Sequence, residues 1–151
     1  MAATIRRLGP GDESILEELA IHDADYDVEG RSSGLVPLSR TAARDFLGNP
    51  VVLFWAAFEE AMPVGFLQCF VLPLRANAEN EVLLYEIGVH HAQRRMGIGR
   101  ALLNEMRAWM QSNRVVEAWV LADNPGAVEF YKACGLSTPD EMSVYMVWRI
   151  Q

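Results

Sequence analysis

Residues 85–103, reading YEIGVHHAQRRMGIGRALL, gather more groups able to do chemistry than any other stretch of this chain. An apolar strand there runs into a basic turn punctuated by glycines, and the turn opens into a helix. The first N–H groups of a helix have no intrahelical partner, and the helix dipole adds partial positive charge at that end. Gly97 and Gly99 lack a Cβ, so a ligand can approach the main chain closely. Arg94, Arg95 and Arg100 supply full charges. The segment, with Ile98 at the helix start, predicts a cradle for a diphosphate-like anion. A surface turn with three solvated arginines is the structural alternative.

Four other positions carry chemistry of their own. Glu86 stands in an otherwise apolar strand, where burying a carboxylate is costly unless it gains a partner. A cationic amine is one such partner and a structural salt bridge the other, so Glu86 is a candidate base or amine-orienting group. It shares a strand face with neither Ile87 nor Val89. Glu81, nearer a strand edge, is a weaker substitute. Tyr131 carries its phenolic proton at neutral pH and can donate it, the alternative being a partly buried helix tyrosine beside Phe130. Asn124 before Pro125 reads as a helix N-cap. His90 and His91, adjacent in extended chain, should diverge, and no third ligand is spaced nearby, so no metal is expected. One of them acting as base, directly or through water, is an alternative to Glu86. Cys134 has no sequence signature of an activating histidine and reads as a small buried residue.

The elements that must position these groups follow a mixed α/β order with no repeat, linker or low-complexity tract. Residues 4–8 read as a strand, and Ile15, Leu16 and Leu19 mark the apolar face of a first helix. A polar, turn-rich stretch over 23–40 precedes a short helix at 41–47. Strands at 51–58 and 62–71 form a hairpin around residues 59–61. A central strand at 81–89 leads to the clearest helix of the chain, with Leu102, Leu103, Met106, Trp109 and Met110 on one face. A strand at 115–121, a helix at 127–134 and a last strand at 143–150 complete the order. The central strand, its crossover helix and the next strand make a βαβ unit, so those two strands should be parallel.

Composition sets bounds. The 151 residues fit a single domain, 1–151, with a sizeable core. Half the residues are hydrophobic, yet no apolar run approaches the ~20 residues that span a bilayer. The N-terminus lacks the hydrophobic stretch of a secretory signal, and two cysteines, Cys69 and Cys134, suit a reducing compartment. The expected location is cytoplasmic, with no membrane partner. Twenty acidic against thirteen basic residues give a net charge of −7, which favours cationic partners over nucleic acid. Solubility alone is the other reason for such a charge.

Two blocks carry a resemblance. Arg94-x-x-Gly97-x-Gly99 after a strand ending in Val89 resembles the acyl-CoA signature of the GCN5-related N-acetyltransferase (GNAT) superfamily. Residues 121–136, LADNPGAVEFYKACGL, resemble that family's later block, with Leu136 where Phe is usual. The resemblance covers nearly the whole chain and is weakest before residue 50. It implies a mixed, mostly antiparallel central sheet flanked by helices, with a parallel βαβ unit that binds acetyl-CoA. It implies direct attack of an amine on the thioester, without a covalent enzyme intermediate and without a metal.

By the same resemblance Arg94, Arg95, Gly97, Ile98, Gly99 and Arg100 surround the pyrophosphate, and Ile87, Gly88 and Val89 offer main-chain bonds to the pantetheine arm. An N–H of that strand segment is the oxyanion donor, Asn124 contacts the coenzyme, Tyr131 is the general acid and Glu86 the base. The segment after the first helix, with Asp23, Asp25, Tyr26, Asp27 and Glu29, shapes the acceptor pocket, and a homodimer is the common assembly. Short phrases, among them residues 46–49, 56–58, 64–65, 71–73 and 85–87, are similar to the small aminoglycoside 3-N-acetyltransferases, and Asp123 fits the same pattern. That group usually has Asp in place of Glu86 and a longer acidic insert after Asp123, which this chain lacks. The implied acceptor is a small polycationic amine, an aminoglycoside first. A polyamine, a protein amine or a non-catalytic acyl-CoA-binding module are the alternatives.

Overall fold

The computed structural model describes residues 2–150, which carry five strands and four helices. In chain order these are β1 (Thr4–Arg7), α1 (Glu13–Ile21), α2 (Arg40–Gly48), β2 (Val52–Glu59), β3 (Met62–Pro73), β4 (Asn80–Val89), α3 (Ile98–Ser112), β5 (Val115–Trp119) and α4 (Pro125–Ala133). Two 3-10 turns, Asp23–Asp25 and His91–Gln93, lie between them. Compactness divides the chain into two units, Met1–Leu121 and Ala122–Gln151, each taken by itself below.

The first unit is a sheet in sequential order β1-β2-β3-β4-β5, antiparallel except for the parallel β4–β5 pair. The expected mixed, mostly antiparallel sheet with one parallel βαβ unit is therefore observed. β2 is buried along nearly its whole length because both of its faces are covered, which is why its sequence, VLFWAAFE, shows no polar alternation. Phe54, Ala56 and Phe58 join Phe66 in a cluster with Leu8, Leu19, Tyr26 and Leu47 from the α1–α2 side. On the opposite face α3 packs its apolar stripe, where Leu102, Leu103 and Met106 are buried and the Met106 sulfur lies 3.5 Å from Cys69 Sγ. Fully burying a side chain such as Leu53, Leu67 or Leu102 stabilises by about 1.5–3 kcal/mol. The order helices, sheet, helix thus leaves the edges and ends of the strands to carry function.

The second unit contains α4, capped by Asn124, whose Oδ1 accepts the Ala127 N–H at 2.8 Å, with Pro125 at its first position. The expected strand at 143–150 is a correction: those residues form no ladder, and Tyr145, Met146, Trp148 and Ile150 are largely exposed. Their β-branched and aromatic side chains favour extended chain, but a strand exists only where a neighbouring backbone accepts its hydrogen bonds.

Candidate active site

The pairing of β4 explains how an acidic residue stands on a core strand without entering the core. Between the partners Gln68–Glu86 and Cys69–Leu84 the register slips by one residue, which makes Tyr85 an extra, bulged position. Before the bulge Val82 and Leu84 share the α3 face with Cys69 and are buried. After it, Glu86 and Gly88 lie opposite Gln68 and Phe66, on the α1–α2 face. Strict alternation from Leu84 would have aimed Glu86 into the α3 core; the bulge turns it away. The signal was present in the sequence, since the apolar series Val82, Leu84, Ile87, Val89 changes from even to odd positions at that point.

β4 also offers its main chain. The parallel partnership with β5 ends at Leu83–Trp119, whereas β4 continues to Val89. The His90 N–H donates to Val64 C=O at 2.9 Å. Alternation along this pair then turns the Glu86 and Gly88 backbone toward β3 and that of Ile87 and Val89 toward the other edge. Past Leu83 that edge carries no strand among the described residues. Gly88 is required for packing: a Cβ there would lie 2.5 Å from the Phe66 ring. The close neighbour on that face is thus a core aromatic.

From Val89 the chain passes through the 3-10 turn into the basic loop. Arg95 and Gly97 both hold positive φ, 64° and 82°, and Gly97 caps α3. That helix start has no side-chain cap bond and no acidic residue in its first turn, whereas α2 and α4 are capped by Ser39 and Asn124. The N–H groups at the start of α3, over Ile98 and Gly99, are complementary to an anion. Arg95 and Arg100 are exposed beside it. Arg94 serves differently. Its Nε donates to Val89 C=O and its Nη2 to Tyr26 C=O, both at 3.2 Å, so it ties the end of β4 to the segment after α1.

The acidic segment sorts into separate roles. Desolvation, and then the charge of Asp23, push the Glu86 carboxyl above its ordinary value, although the residue stays exposed on its solvent side. Asp23 itself accepts a 2.5 Å bond from the Ser32 hydroxyl. Asp27 folds its own loop, accepting the backbone N–H groups of Glu29, Arg31 and Ser32, which lower its pKa. Glu29 pairs with Arg31 at 2.6 Å. Tyr26 is a core residue whose hydroxyl donates to Pro63 C=O at 3.0 Å; burial, with Asp25 and Glu18 nearby, pushes its pKa up to about 12. Asp25 lies among histidines. The charge of Asp23 acts on the Glu86 carboxyl, a link between distant positions that no local spacing announces. Glu81, the substitute, accepts the Trp119 indole N–H at 3.1 Å and fastens β4 to β5.

In the second unit Asn124 realises its capping role, and its Nδ2 donates to Asp123 Oδ1 at 3.1 Å. Tyr131 is buried on α4, its ring 5.3 Å from that of Phe130.

The acetyltransferase (GNAT) family model matches residues 17–136. An uncharacterized N-acetyltransferase of Methanocaldococcus jannaschii is 36% identical over 98 residues, which are 63% of this chain and 42% of that protein. The chain thus spans less than half the length of this curated relative. Among solved structures, an aminoglycoside acetyltransferase from an uncultured soil metagenomic sample, in complex with sisomicin, is similar at a TM-score of 0.85. It is 21% identical, and the match covers 99% of this chain and 97% of that one. A ribosomal-protein-alanine N-acetyltransferase from Brucella melitensis biovar Abortus follows the same fold at a TM-score of 0.74 and 19% identity, over 98% of this chain and 100% of that one.

Proposed function

The chain belongs to the acetyltransferase (GNAT) family, and on that premise we propose that it transfers the acetyl group of acetyl-CoA to a primary amine of a small polycationic molecule, an aminoglycoside first. The observation that carries this reading is the Tyr85 bulge, which turns Glu86 to the α1–α2 face, where the Asp23 charge acts on it, on a strand whose far edge past Leu83 carries no neighbouring strand among the described residues.

The pyrophosphate would be held by the uncapped start of α3, with Arg95 and Arg100 adding charge, while Arg94 keeps the loop in place. The pantetheine arm would take strand-like hydrogen bonds from Ile87 and Val89. The acceptor arrives as an ammonium ion, attracted by Asp23 and Glu86. Glu86 takes its proton, and the neutral nitrogen attacks the thioester carbonyl carbon. Negative charge on the carbonyl oxygen is met by an N–H of the Ile87–Val89 segment. Collapse breaks the C–S bond; the family resemblance gives Tyr131 the proton relay, donating its proton to the departing thiolate and regaining one from the acylated nitrogen, which leaves the neutral amide and the free thiol. The acidic surface charge, −7 overall, supports a cationic acceptor. The aminoglycoside choice rests on the short sequence phrases and on the relative bound to sisomicin. A cytoplasmic site of action, where such transfer would inactivate an antibiotic, agrees with two free thiols, and no helix is long and apolar enough to cross a membrane among the described residues. Homodimer assembly stands on the family resemblance.

Acetyl-CoA-dependent thiol release over a panel of aminoglycosides, polyamines and basic peptides tests the reading. Release with an aminoglycoside and none with a polyamine supports it; the reverse transfers the assignment to polyamines.

A further inference from the structure

All three histidines of the chain, His22, His90 and His91, converge on one carboxylate, Asp25. His22 closes α1, Asp25 ends the first 3-10 turn, and His90 and His91 leave β4 at the second. The sequence placed His90 and His91 in extended chain, where adjacent side chains diverge. The 3-10 turn brings their ring centroids to 4.5 Å instead. His91 Nε2 lies 3.8 Å from Asp25 Oδ1, while His90 Nε2 and His22 Nδ1 lie 3.9 and 3.6 Å from Oδ2. The ligand atoms of Asp25, His90 and His91 all fall within 4.8 Å of one another.

We propose that Asp25, His90 and His91, with His22 as fourth donor, form a binding site for one zinc-class divalent transition-metal ion. Imidazole nitrogens with a single carboxylate suit borderline ions such as Zn²⁺, Co²⁺ and Ni²⁺, whereas Ca²⁺ takes six to eight oxygens. A tetrahedral ion at about 2.0–2.1 Å from each donor sets neighbouring donors about 3.3–3.4 Å apart. The Asp25–histidine separations of 3.6–3.9 Å exceed that modestly. The donors of Asp25, His90 and His91 lie within 4.8 Å of one another and His22 stands outside that limit, so side-chain rotation must draw the donors, His22 most of all, inward onto the ion. Glu18 Oε1 stands 3.4 Å from His22 Nε2, so that carboxylate can orient the ring with Nδ1 toward the ion. His90 has a cost to meet. Its Nδ1 accepts the Ala92 N–H at 3.1 Å, which leaves the ring proton on Nε2. Metal binding at Nε2 moves that proton to Nδ1, with no net release, and gives up the Ala92 bond. The side chains are partly exposed, 60% for His91 and 40% for Asp25, and His22, Asp25 and His90 border a cleft of about 260 Å³ that Met62 and Pro63 also line. An ion can therefore enter from solvent. The acetyl-transfer reading uses neither the histidines nor Asp25 as acid or base, so the two proposals stand or fall separately.

Calorimetric titration of the tag-free, chelator-treated full chain with Zn²⁺ tests the site. The expected result is one ion per chain with micromolar affinity, weakened tenfold or more in Asp25→Asn and in His91→Ala, and no heat with Ca²⁺ or Mg²⁺. Co²⁺ should give the intense visible bands of four-coordinate geometry, diminished in His22→Gln. His91 is exposed and Asp25 half-buried, and circular dichroism reports whether each variant is folded. Absence of saturable one-to-one binding would overturn the proposal. So would unchanged affinity in Asp25→Asn and His91→Ala, since the ion would then sit elsewhere.

Discussion

Desolvation and the Asp23 charge both disfavour the ionised form of Glu86, and both therefore act on catalysis in one direction. If the carboxylate is the base, the acidic limb of the rate–pH profile lies above the ordinary carboxylate range and disappears in Glu86→Gln, with a loss of about 10²–10⁴-fold in turnover. Asp23→Asn removes one of the raising causes, so the limb should move to lower pH; a limb that stays put would uncouple the two groups. Stability runs with the opposite sense. Because the folded state holds the Glu86 proton more tightly, this group's contribution falls as pH rises from its unfolded pKa through its raised folded one. Glu86→Gln lacks that loss, so its melting temperature at neutral pH should not fall below that of the parent chain. Glu86 was legible in the sequence because an acid on an apolar strand stands out. Asp27 and Tyr26 could not be separated from the other members of their segment, since backbone acceptance by Asp27 and burial of Tyr26 arise only once the loop is folded. Arg94 was similarly indistinct: three arginines look alike until one is seen bonded to Val89 and Tyr26.

At the scale of elements, β4 and the start of α3 do the positioning. Gly88 lets β4 lie against Phe66, and Gly88→Ala should destabilise by about 1–3 kcal/mol through overpacking, read as a lower melting temperature. An unchanged melting temperature would mean that the Phe66 ring yields freely. Gly97 has open space around a would-be Cβ but holds φ at 82°. Gly97→Ala should therefore cost on the order of 1–2 kcal/mol and weaken acetyl-CoA binding more than acceptor binding, which separate KM values would report. Periodicity located every strand and helix of the first unit to within a few residues. The bulge is marked in the sequence only by the apolar series passing from Val82 and Leu84 to Ile87 and Val89, a change of phase that a strand's two-residue period does not by itself explain. The expected strand at 143–150 failed for a different reason: propensity names a conformation, and only a partner edge supplies the hydrogen bonds.

For the whole molecule, the order of the elements and the basic loop gave the family, while the acceptor is written in surface charge and loop shape, which a single sequence expresses weakly. A net charge of −7 should draw a polycation from a distance, so kcat/KM for an aminoglycoside should fall as salt rises and kcat should change little. A salt-independent kcat/KM would leave recognition to short-range contacts alone. Tyr131→Phe should lower kcat without altering acetyl-CoA affinity; equal turnover would remove its role as general acid. The most direct test of the account is acetyl-CoA-dependent thiol release with an aminoglycoside acceptor, followed across pH for the parent chain and Glu86→Gln. The account predicts turnover with an acidic limb above the usual carboxylate range, which the substitution abolishes. Equal rates and superimposable pH profiles in the two proteins would contradict it.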